Sequence, residues 1–106
     1  MGVDVYLEDE SGTRIDRLLD VRNIFIGYLL EREQVDFMSD RCFRFIDPYW
    51  VVGFNRIQTK VLRVEIQEKM GQTKDDGVKS YFVQLLTLVD RMPQDKGSWI
   101  LWFIGD

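Results

Sequence analysis

The chain has 106 residues, 45% of them hydrophobic and 13% aromatic, which suits one packed core and argues against disorder. It has no histidine and one cysteine, Cys42, which removes an intramolecular disulfide, His-dependent nucleophilic catalysis and most zinc and haem sites. The net charge is −4 with a pI near 4.8 and no basic cluster, so a nucleic-acid partner is not expected.

No apolar run approaches the roughly 20 residues needed to span a bilayer. The opening MGVDVYLEDE lacks the basic and long apolar regions of a signal peptide. A cytoplasmic, non-membrane protein is the expectation. Six of the 18 acids (Asp4, Glu8, Asp9, Glu10, Asp16, Asp20) and two of the 14 bases (Arg14, Arg17) fall in residues 1–20. That segment therefore carries the whole net charge, and a basic protein surface is the partner it suits.

Val3, Val5 and Leu7 alternate with Asp4, Tyr6 and Glu8, the period of a half-buried strand. Glu10-Ser11-Gly12 supplies a turn, and residues 13–17 read as a short second strand or a helical turn. Asn23 is placed to cap a largely buried helix over 24–33. Residues 34–40 read as a loop. Arg41 to Ile46 alternates again, and with the Asp47-Pro48 turn and a return strand over 51–54 it predicts a hairpin. Cys42 within this run reads as a buried thiol.

Asn55 and Gln58 have the spacing of a capping box, which predicts a helix to about Met70. The alternation Leu62, Val64, Ile66 offers a strand as the rival. As a helix, the segment is apolar on two nearly opposite sides: Ile57, Val61 and Val64 on one, Leu62, Ile66 and Met70 on the other. Asp76 is placed to cap a third helix over 78–92, one face of which is Val78, Tyr81, Phe82, Leu85, Leu88, Val89 and Met92. Pro93 then blocks continuation. The last strand, Trp99 to Ile104, is apolar on both faces, with Trp99, Leu101 and Phe103 on one side and Ile100, Trp102 and Ile104 on the other.

These elements predict a single α+β domain over 1–106: an antiparallel sheet of about four strands carrying three helices, with the first and last strands as neighbours. In two layers only one sheet face meets helices, so the doubly apolar last strand and the two-striped helix each need a further cover. Together they predict a homodimer that self-associates through Trp99, Leu101, Trp102 and Phe103. The acidic run Glu8-Asp9-Glu10 and the aromatic pair Tyr49-Trp50 are the candidate residues for binding a foreign partner. No metal site, cofactor or catalytic residue is predicted. The acidic run lacks calcium-loop spacing, and Arg41, Arg44 and Arg56 are expected to pair with carboxylates.

YLEDE-SG at 6–12, FRFIDPYW at 43–50, FNRIQ at 54–58 and LWFIGD at 101–106 resemble blocks of a group of small, uncharacterised bacterial proteins. The chain departs from that pattern, which tends to have Gly at the position of Trp50 and Asp-Pro at Asp20-Val21. The resemblance implies no activity. At the level of class, it suggests an immunity-type or gene-cassette product. The leading expectation is thus a non-enzymatic interaction protein. The alternatives are a ligand-binding or regulatory domain with an aromatic pocket (Tyr49, Trp50, Phe54, Trp99, Trp102) and a small acid-base enzyme using a carboxylate pair such as Asp47 with Asp106 or Glu8.

Overall fold

The computed structural model describes residues 2–32 and 40–105. The predicted 34–40 loop falls almost entirely outside them, as does Asp106. Strand β1, Asp4–Glu8, buries every second residue, as its alternation requires. Strand β2, Arg14–Leu18, returns antiparallel to it with a bulge at Leu7/Glu8. The turn between them is built by Asp9, whose Oδ1 accepts from Ser11 N–H at 3.0 Å, Ser11 Oγ at 2.7 Å and Thr13 N–H at 3.0 Å. Gly12 supplies the required φ of 83°.

Helix α1, Ile24–Arg32, begins one residue after Asn23, but Asn23 is not its side-chain cap. Asn23 instead takes the left-handed φ of 56°. The cap is Asp20, whose carboxylate accepts from Phe25 N–H at 3.0 Å and Ile26 N–H at 2.9 Å. The same carboxylate accepts from Val3 N–H at 3.1 Å, so it fastens the entry of β1 to the entry of α1.

The predicted strand at 41–46, and with it the predicted hairpin, is replaced by a 3-10 turn over Phe43–Phe45. Alternation would put Phe43 and Phe45 on one face, yet Phe43 is buried and Phe45 is 54% exposed. The cause lies 22 residues away. Glu65 accepts from the backbone N–H of Arg41 at 2.5 Å, Cys42 at 3.0 Å and Phe43 at 2.9 Å. Three successive amides can converge on one carboxylate only where the chain turns. Beside this clamp, Lys69 Nζ forms a buried ion pair with Asp40 at 2.6 Å and lies 4.6 Å from the centre of the Phe43 ring.

Strand β3, Val51–Phe54, leads directly into helix α2, Arg56–Gln72. The Asn55/Gln58 capping box is present with both reciprocal hydrogen bonds, and the strand alternative for 60–67 is excluded. Of the two stripes on α2, Leu62 and Ile66 are fully buried, whereas Ile57 (64%) and Val64 (52%) are exposed. Helix α3 spans Asp76–Val89 and is capped by Asp75, not Asp76; its last predicted turn is non-helical, although Met92 still enters the core. Strand β4 is Ile100–Ile104.

The sheet is wholly antiparallel in the order β2-β1-β4-β3, so the first and last strands are neighbours, as expected. The helices cover one face. Between them and the sheet lies an aromatic core in which Phe25 meets Phe43, Phe82 and Phe103 at centroid distances of 6.0–6.3 Å. Tyr81 stacks on Phe25 at 4.9 Å.

Candidate interaction surface

Each strand sends alternate side chains away from the helices. The registers set those residues in rows: Val51, Ile104 and Asp4; then Gly53, Trp102, Tyr6 and Arg17; then Ile100, Glu8 and Arg14. No described element covers this outward face. It is divided in composition. The half over β3 and β4 holds Val51, Gly53, Ile100, Trp102 and Ile104 and carries no charge. The half over β1 and β2 holds Asp4, Glu8, Arg14 and Arg17 around Tyr6, with the Arg14 guanidinium 4.1 Å from the Tyr6 ring centre.

Trp102 is half-buried because it lies flat over Gly53. A Cβ on Gly53 would come within 2.7–2.8 Å of the indole and 2.9 Å of Ile100 Cγ2. The glycine thus provides the shelf on which the ring rests, an arrangement that restores the packing a strand glycine lacks. Gly105 plays a comparable part at the end of β4. Its N–H donates to Trp50 O at 2.9 Å, and a Cβ there would meet the carbonyl oxygens of Pro48 and Asp47 at 2.5 and 2.6 Å.

Of the predicted self-association residues, Leu101 and Phe103 are fully buried beneath the helices and present nothing to a partner. Trp102 faces outward. Trp99 packs partly against the core, and its indole N–H donates to Glu10 Oε2. The outward apolar residues of β4 are therefore Ile100, Trp102 and Ile104.

The predicted partner-binding residues do not form one site. Glu8 and Glu10 stand at the Ile100 end of the sheet, and Asp9 is consumed in the hairpin turn. Ser11's hydroxyl, followed by the Thr13 N–H, holds the Asp9 carboxyl below the usual carboxylate range. Tyr49 and Trp50 are exposed, Trp50 at 72%, but they stand at the Ile104 end, the length of β4 away, about 14 Å. Beside the acids lie Arg14 and Arg17, so the first segment does not present a uniformly acidic surface.

The aromatic pocket is not assembled. Phe54 is in the core, and clefts of about 320–480 Å³ among the described residues are lined by other side chains. Asp47 accepts from Tyr49 N–H at 2.7 Å within its own turn and sits at the opposite end of the sheet from Glu8. Burial, with Glu65 adding to it, pushes the Cys42 thiol upward, away from a reactive thiolate. Among the described residues, no group of three His, Cys, Asp or Glu side chains could hold a metal. No described helix is long and apolar enough to cross a membrane.

No protein-family model, curated protein or solved structure matches the chain. The geometry of the chain gives weight to residues that the sequence patterns do not single out. Asp20 and Glu65 organise the chain's turns, and Gly53 positions Trp102. Both carboxylates look like surface charges in a one-dimensional reading. The only local signal was for Gly53, an isolated glycine inside a strand pattern, which marks a close approach.

Proposed function

We propose that this chain is a non-enzymatic interaction protein that works as a homodimer and meets a foreign protein through the charged half of its sheet. The observation that carries this reading is the outward face of β3 and β4. An uncovered sheet half holding Trp102, Ile100, Ile104 and Val51, with exposed Tyr49 and Trp50 just before β3 in the chain, is the kind of apolar patch that marks an interaction site. The neighbouring half mixes acids and bases, which favours selective pairing with another protein over attraction to a single-sign polymer. The separation of Asp47 from Glu8 removes one of the two carboxylate pairs named for acid-base catalysis, and the other, Asp47 with Asp106, reaches outside the described residues.

Light scattering after size exclusion at micromolar concentration tests the first step. A mass of twice the 12.6 kDa chain is expected, and a monomer there would overturn the dimer reading. Pull-down with the charge-reversed pair Arg14→Glu and Arg17→Glu tests the second step, because partner capture should fall while the dimer persists.

A further inference from the structure

The two edges of the sheet are built differently. Strand β2 carries Arg14, Asp16 and Arg17 and a bulge, the devices by which natural sheets guard an edge against foreign strands. Strand β3 is Val-Val-Gly-Phe, with a regular register against β4. No charged residue lies between Asp47 and Arg56. It is unguarded.

Gly105 N–H donates to Trp50 O, and Val51 pairs with Ile104, so Trp50 and Gly105 form a hydrogen-bonded pair. In an antiparallel ladder such pairs alternate with non-bonded ones. Val52 and Phe54 therefore turn their amides toward β4, and Val51 and Gly53 turn theirs outward. No described backbone or side chain accepts or donates to those outward groups.

We propose that β3 pairs antiparallel with β3 of a second copy across a two-fold axis at Val52, giving one continuous eight-stranded sheet. This rests on the homodimer reading above and names the contact. The register follows from the edge itself. With Val52 opposite its own copy, Val51 of each chain lies opposite Gly53 of the other, and the pairs exchange their outward N–H and C=O groups. Each branched Val51 side chain then lies beside Gly53 of the other copy, against the Trp102 ring that rests on it. The exposed valine and the indole meet twice about the same axis, which is the self-complementarity that a two-fold interface requires. A foreign strand would satisfy the backbone equally, but the Val51–Trp102 contact belongs to this chain. The four-residue ladder alone falls short of a stable interface. Exposed Tyr49 and Trp50, which lead into it, and Ile57, three residues beyond it, extend the contact.

The test uses Val51→Pro, which deletes an outward N–H without touching the bonds to β4, a substitution that edge strands tolerate. Circular dichroism and a thermal melt first establish that the variant is folded. Wild type as a dimer, with Val51→Pro dissociating at least about tenfold more readily, since two donors are lost per interface, supports the proposal. A dimer unchanged by Val51→Pro overturns edge pairing while leaving the homodimer reading standing. A wild-type monomer overturns both. Hydrogen exchange on the unmodified protein decides the matter if the variant misfolds. The amides of Val51 and Gly53 should be protected in the dimer and become fast on dilution to monomer, and fast exchange within an intact dimer would rule the pairing out.

Discussion

At the scale of single residues, two carboxylates and one phenol govern the chain. Asp20 and Glu65 each collect three backbone N–H groups, Asp20 those of Val3, Phe25 and Ile26 and Glu65 those of Arg41, Cys42 and Phe43, and hydrogen bonds to a carboxylate are the strong ones. Glu65→Ala should cost about 3 kcal/mol in urea denaturation, because buried donors lose their acceptor; Glu65→Gln, keeping one carbonyl oxygen, should cost less. Tyr81 presents the reverse case. Its buried hydroxyl has no hydrogen-bond partner among the described residues, and burial, then the Asp20 and Asp4 charges, push its ionisation well above the ordinary value near 10. The folded state therefore resists deprotonation where the unfolded chain accepts it. Its contribution is intact below about pH 10 and is lost as pH rises further. Tyr81→Phe should be stabilising by about 1 kcal/mol at neutral pH and should flatten the alkaline limb of the stability profile in denaturant titrations across pH. None of these roles was legible beforehand, because Glu65 reaches 22 to 24 residues back along the chain, Asp20 joins Val3, 17 residues away, to the start of α1, and Tyr81 is placed by the core.

At the scale of elements, legibility tracked how local the cause was. The Asn55/Gln58 box lies within four residues and was read correctly; Asn55→Ala should cost about 1 kcal/mol by thermal or chemical unfolding. Alternation placed β1 and β4, because both have one face in a core. It failed at 41–46, where Cys42, Phe43 and Ile46 are buried through a turn held by a distant carboxylate, and an alternating pattern is all that turn leaves in the sequence. Asp20 displaced Asn23 as a cap for the same reason, since it reaches Phe25 and Ile26 from outside the usual cap spacing. Within the sheet, Gly53→Ala should lift the Trp102 ring, costing about 1–3 kcal/mol and shifting tryptophan fluorescence toward that of an exposed indole. At the β2 end, Asp16 is held below the usual carboxylate range by Arg91 first and the Arg17 N–H next. Its contribution is present above that range and fades as pH falls through the lowered value. Asp16→Asn should therefore lessen the loss of stability on acidification, by a small amount because the pair is partly exposed.

At the scale of the whole molecule, the α+β class and the adjacency of first and last strands followed from patterning, since few arrangements bury two such strands against three helices. The candidate surface was only half legible. Trp102 was found, but Leu101 and Phe103 were assigned to it as well, because a strand that is apolar on both sides does not say which side the helices take. With β1 and β4 paired on both flanks, their central amides should exchange with solvent only through global unfolding, measurable as equal protection free energies at Val5, Leu101 and Phe103.

The place of β4 has a consequence for how the chain is made. It is the strand that joins β3 to the β1–β2 hairpin, and it follows every other element in the sequence. During synthesis, some fifty residues separate the appearance of Phe54 from that of Ile104, about three to ten seconds at ordinary elongation rates. For that interval β3 lacks its neighbour in the sheet, and the nascent hairpin waits with one edge of β1 open. Helices can form at once, but the sheet closes only when the last strand arrives, and its closure requires the longest loop in the fold. A ribosome-bound chain stalled before Trp99 should accordingly be protease-sensitive throughout, and should become resistant in a single step once β4 has cleared the exit tunnel.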